Sequence, residues 1–213
     1  MLIARVYTEP WEVDQRLSAF GVTRSELFEV VRQVVGARAD VTDNDPVTAG
    51  GLFAYIQGTR HIRALFRSKR WQLDRQENIE AVKHPEKDLR IVYQSVDLAA
   101  SKGHNPRAIS GKGSGADRII DSAQGSLFTD EELEQHNPAT IAAVGTGVWF
   151  FCVSVDGEDV RAELSLPASL EGRNFKEFIE RIFIVRGGEW PPTQIAPDAE
   201  NDAVDFQPTV TRK

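Results

Sequence analysis

The apolar positions of this chain fall into two regimes. In the first third they recur at helical spacing, and in the last third they alternate or run together. Leu27, Val30, Val31, Val34 and Val35 repeat at intervals of three and four, one face of a helix. Thr23-Arg24-Ser25-Glu26, directly before them, has the form of a capping box, and Gly36 supplies a stop. The spacing predicts an amphipathic helix over about 23–36. A second set, Leu52, Tyr55, Ile62, Leu65 and Phe66, predicts one side of a helix over about 51–69. Gly58 weakens that helix by about 1 kcal/mol relative to alanine.

Strand signals follow. MLIARVY at the N-terminus reads as a first strand, and DLRIVYQSVDLA predicts another at 89–97. Val148 to Val155 is an unbroken apolar and β-branched run. Asp156-Gly157 comes next, and then an alternating segment from Val160 to Leu166. Asp-Gly between two such runs predicts a β-hairpin over about 148–166. FKEFIERIF (175–183) has the spacing of a short amphipathic helix or a helix-to-strand switch. Residues 117–124 suggest a short helix, and 129–138 an acidic helical turn ended by Pro138. Helix-rich then strand-rich order favours an α+β fold, with an antiparallel sheet packed against amphipathic helices. One compact domain is expected over 1–186. A Pro-rich acidic arm or tail is expected over 187–213, where periodicity fades and four prolines occur.

Composition narrows the class. The chain has 213 residues, 41% of them hydrophobic, enough to build a core. Its longest apolar run, 148–153, is far shorter than the roughly 20 residues that cross a bilayer. No basic segment followed by an apolar stretch opens the sequence, so a soluble, cytoplasmic protein without a membrane partner is expected. The single cysteine, Cys152, rules out an internal disulfide or a multi-cysteine zinc site. Its place in the apolar run reads as a buried, inert thiol.

The charge is uneven. Overall it is −7, yet the segment from Arg60 to Arg118 carries 13 Lys/Arg against 7 Asp/Glu, and the flanks are acidic. The segment opens with GTRHIRALFRSKRW, residues 58–71. Arg60, Arg63, Arg67 and Arg70, spaced three, four and three, fall within about 80° on a helix, with Lys69 and His61 adding charge. Arginine forks pair bidentately with phosphate, so a ridge at turn spacing suits a polyanion. Trp71 behind it is a candidate base-stacking ring, or the cap of a core edge. The competing reading is that the ridge faces water or pairs with the chain's own acids.

A glycine-rich loop over 101–117 continues the basic segment with Lys102, Arg107, Lys112 and Ser114. Its Ser110-Gly111-Lys112-Gly113-Ser114-Gly115 could turn backbone N–H groups toward an anion. It lacks the Gly-Lys-Ser/Thr ending of a phosphate loop and matches the dinucleotide fingerprint only in part, through Ala116. No cofactor or metal is therefore expected. Asp97, Asp156 and Glu163 lie at strand positions, and Asp97 with Glu163 forms the candidate carboxylate set of a metal-dependent phosphodiesterase or nuclease. His61, His84, His104 and His136 show no ligand spacing, and no nucleophile-elbow serine is present. The sequence thus predicts a binding protein whose basic central surface takes an anionic partner, nucleic acid first and a phosphate-bearing nucleotide second. The alternatives are a protein-interaction subunit, docking an acidic partner or self-associating through the C-terminal arm, and the nuclease. Whether the protein is an enzyme is left open.

Overall fold

A computed structural model describes residues 3–109, 147–171 and 174–191. Within them the elements run β1 (Arg5–Tyr7), α1 (Pro10–Ser18), α2 (Arg24–Ala39), α3 (Ala49–Ser68), β2 (Gln72–Asp74), β3 (Ala81–Lys83), β4 (Leu89–Ser95), β5 (Gly147–Asp156), β6 (Asp159–Glu171) and β7 (Asn174–Val185). The strands form one seven-stranded sheet in the order β1-β7-β6-β5-β4-β3-β2. The α+β class holds.

The sheet is mixed rather than antiparallel, because β1 lies parallel to β7 and β4 parallel to β5. Strand direction is invisible to hydrophobic alternation. A parallel pair needs only a long crossover, which the 51 residues between β4 and β5 supply. The predicted hairpin is present: β5 and β6 close across Asp156 and Asp159, and Gly157 takes the positive φ of 56° that the turn requires.

The helices cover one face of the sheet. Leu17, Val31, Ile62 and Phe66 pack there against Tyr93, Trp149, Phe151 and Leu164. A second buried cluster on the other face holds Val92, Val148, Phe150, Cys152 and Phe178. Both faces of β5 are therefore buried, which is why its sequence is continuous and apolar. Cys152 is buried, as its neighbours imply. No helix among the described residues is long and apolar enough to cross a membrane.

Three local expectations are corrected. Helix α2 is capped by reciprocal Thr23–Glu26 bonds as predicted, at 3.2 and 2.8 Å, but it passes through Gly36 to Ala39 because Ala37 still packs inward. Residues 175–183 form strand, not helix. β7 skips register opposite Pro167 and Ser169, leaving Phe175 and Phe178 on one face with Ile179 and Ile182 on the other. Those irregularities stretch a two-residue period into one resembling three to four. Finally, Leu52 and Tyr55 do not join the buried side of α3. They are exposed; the helix buries Ile62 and Phe66 as expected, with Ala54 and Gly58 in place of Leu52 and Tyr55.

The C-terminal arm is described only as far as Pro191. The elements expected at 117–124 and 129–138 lie outside the described residues.

Candidate functional site

Helix α3 contains no acidic residue, so no carboxylate of its own meets the arginines on its outward face. It ends in a Schellman motif: Arg70 N–H donates to Arg67 O at 3.0 Å and Trp71 N–H to Phe66 O at 3.1 Å. The accompanying hydrophobic contact is Trp71 on Phe66, with ring centroids 4.6 Å apart. Trp71 is therefore buried and anchors the helix end, which withdraws it as a base-stacking surface. The left-handed position of this motif usually holds glycine, but here it is Arg70, with φ 69°. Arg70→Gly is expected to raise stability by about 0.5–1 kcal/mol, read as a rise in the urea midpoint. A fall would show that the arginine side chain itself supports the fold.

The four-arginine ridge is divided. Arg63 turns inward. It forms an ion pair with Glu80, reaches the carbonyls of Asp74 and Ala81 at 3.4 Å, and is 12% exposed. Lys69 is held by Glu26 at 2.7 Å. That contact, together with the Thr23 N–H, keeps the Glu26 carboxyl below its ordinary range. Arg90, later in the basic segment, is taken by Asp74 and Asp88 at 2.8 and 2.6 Å. Arg60, Arg67 and Arg70 stay exposed with no ion pair among the described residues. Arg60 meets only Gln57, at 3.2 Å.

What adjoins the outward arginines is apolar. Leu52, Tyr55 and Ile56 are 53%, 44% and 40% exposed. At 100° per residue, Leu52, Ile56, Arg60 and Arg67 share an arc of about 80°. They form one strip roughly 22 Å long, apolar in its first half and cationic in its second. Sequence periodicity does not reveal it, because the spacing of Leu52 and Tyr55 places them with the buried side.

Lys102 and Arg107 are exposed but lie elsewhere. Their loop is laid over the sheet face opposite α3. Ala99 N–H donates to Ser154 Oγ at 3.0 Å and Ala100 N–H to Glu163 Oε2 at 2.5 Å. Within the described residues the helix ridge and this loop therefore do not build one surface. Lys112 and Ser114 lie outside them.

The carboxylate candidates are occupied. Glu163 is fully buried, and accepts from Arg181 Nε at 2.9 Å, from Arg181 Nη2 at 2.6 Å and from Ser165 Oγ at 2.6 Å. Arg181 also donates to the carbonyls of Ser101 and His104, each at 3.0 Å. Asp97 staples the same loop. It accepts from Leu98 N–H and Arg107 N–H, both at 2.7 Å, and lies 3.0 Å from His104 Nε2. Burial pushes the Asp97 carboxyl up, but the Arg107 N–H and His104 contacts outweigh it and hold the group below its ordinary range. Asp156 sits at the β5–β6 turn. No group of three metal-ligating side chains occurs among the described residues. His61 lies half-buried on α3, and His136 falls outside the described residues. Nothing in the sequence singles out the buried pair: Glu163 and Arg181 lie in strands that carry other charged residues, Arg161 in β6 and Lys176, Glu177 and Glu180 in β7.

Beside the end of α3, the turn after α1, Ser68–Trp71 and His84 enclose a cleft of about 470 Å³. A larger cleft of about 950 Å³ adjoins it across Lys69, along the start of α2. Comparison with known proteins gives no match: no protein-family model, no curated protein and no solved structure is similar to this chain.

Proposed function

We propose that the protein is a binding module whose α3 strip docks an acidic, amphipathic segment of a partner protein. The observation that carries this is the juxtaposition of exposed Leu52, Tyr55 and Ile56 with Arg60 and Arg67, which have no ion pair among the described residues, on one helix face. A partner helix with apolar anchors beside carboxylates would cover both halves at once, the helix-in-groove mode of recognition. A nucleic acid would neutralise the arginines but leave the apolar half facing phosphates. Self-association through the strip is poorly matched, because the strip carries no acid to meet its own arginines.

Fluorescence anisotropy tests this with a labelled amphipathic peptide carrying leucines at helical spacing and flanking glutamates. DNA and RNA oligonucleotides of equal charge are titrated in parallel. Peptide binding is expected to weaken by about tenfold in Leu52→Ser/Ile56→Ser and again in Arg60→Ala/Arg67→Ala. Binding of DNA or RNA in preference to the peptide, indifferent to Leu52 and Ile56, would replace this reading with a nucleic-acid one.

A further inference from the structure

We infer that the cleft at the end of α3 is a binding site for a phosphate monoester, held by Arg70, Lys69 and His84. Its walls come from three separate pieces of chain: Ser18 to Gly21, Ser68 to Trp71, and His84. Three of its lining side chains are basic and none is acidic. The backbone N–H groups along Ala19–Gly21 and Lys69–Trp71 are already spent on turn hydrogen bonds, so an anion there must be met by side chains.

His84 is set for that task. Its Nδ1 accepts from the N–H groups of Glu86 and Lys87, at 3.1 and 3.2 Å. The neutral ring must then carry its proton on Nε2. That N–H has no hydrogen-bond partner among the described residues. The ring packs edge-on against Trp71, with centroids 5.1 Å apart, which fixes its orientation. Arg70 has no ion pair among the described residues and occupies a left-handed position where glycine costs less. Strain kept at a residue whose side chain enters no hydrogen bond or ion pair among the described residues points outward, to a ligand. Lys69 adds an ammonium at the cleft wall, steadied by Glu26 from the far side. A guanidinium, an ammonium and an imidazole N–H, all donors, match the oxygens of a phosphate dianion better than the two of a carboxylate. The volume admits the phosphate together with a small attached group.

The source of the phosphate is either a free small ester or a phosphorylated side chain, and one experiment separates them. Isothermal titration calorimetry at constant ionic strength uses inorganic phosphate, ribose 5-phosphate and a phosphoserine peptide, with chloride as control. Saturable binding is expected for phosphate. It should weaken about tenfold or more in Arg70→Gly, and likewise in His84→Asn, where the amide oxygen keeps an acceptor for the 86–87 turn while the Nε2 donor is lost. Arg60→Glu/Arg67→Glu, which breaks the strip, should bind phosphate within about twofold of wild type, so failure of the docking proposal leaves this one standing. Tighter binding of the phosphopeptide assigns the site to a modified partner, and tighter binding of the sugar phosphate assigns it to a metabolite; both uphold the site. Absence of saturable phosphate binding, or equal binding by wild type, Arg70→Gly and His84→Asn, overturns it.

Discussion

Replacing Arg181 by methionine is expected to lower the free energy of unfolding by about 3–5 kcal/mol, measured by urea denaturation. The substitution strands Glu163, which is fully buried and whose main counter-charge is this guanidinium. It also removes the donor that holds the carbonyls of Ser101 and His104. Hydrogen exchange over residues 97–109 should therefore accelerate along with the global loss. The double variant Glu163→Gln/Arg181→Met removes both charges and should recover much of the deficit, because an absent pair costs less than a broken one. A loss below about 1 kcal/mol in Arg181→Met would mean that water reaches Glu163 and the network is not closed. The pair's place in the fold is structural: it clamps the loop after β4 onto the face opposite the helices. The same geometry removes Glu163 from any metal-dependent mechanism, since its oxygens are already bound by Arg181, Ser165 and Ala100.

Gly58→Ala should destabilise the protein by about 1–3 kcal/mol, against the direction that helix propensity gives. Propensity alone favours alanine in a helix interior by about 1 kcal/mol. In the fold, a Cβ at position 58 would stand 2.3 to 2.5 Å from three atoms of the Tyr93 ring. That ring is 2% exposed, and its hydroxyl lies 3.2 Å from Ser95 Oγ. Burial has also pushed the phenol up to about 12. A ring so enclosed cannot step aside, so α3 would have to lift from β4. Urea denaturation of Gly58→Ala decides the sign. A stabilised variant would show that α3 sits further from the sheet than described. A double variant, Gly58→Ala/Tyr93→Leu, should recover part of the loss by vacating the space.

Gly58 also shows what the sequence could and could not convey. The sequence pattern located α2, α3, β4 and the β5–β6 hairpin because each carries a local signal: a helical stripe, a β-branched or apolar run, or an Asp-Gly turn. It failed where two constraints overlap. Glycine at position 58 is required by tertiary approach to a residue 35 positions away, which local propensity reads only as weakness. In β7 the bulges opposite β6 disguised a strand as a helix. The short β2 and β3, three residues each, offer too few positions for any period to register. For the candidate site, the concentration of arginine was visible, but its distribution was not. Arg63 turned inward because Glu80 and two carbonyls lie beneath it, and those arrive from β2, β3 and the connection between them. Arg70 took the helix-terminal position that glycine would have marked. The apolar half of the strip was hidden because Leu52 and Tyr55 look like core residues until the sheet is in place.

The docking surface on α3 is tested most directly by exchanging charge across it. Anisotropy is measured for the glutamate-bearing amphipathic peptide and for its lysine-bearing counterpart, each against wild type and Arg60→Glu/Arg67→Glu. Wild type should bind the acidic peptide at least about tenfold more tightly than the basic one, and the double variant should reverse that order. Equal affinity of the acidic peptide for both proteins, or no saturable binding to wild type, would contradict the assignment of this helix face as a site for an acidic partner.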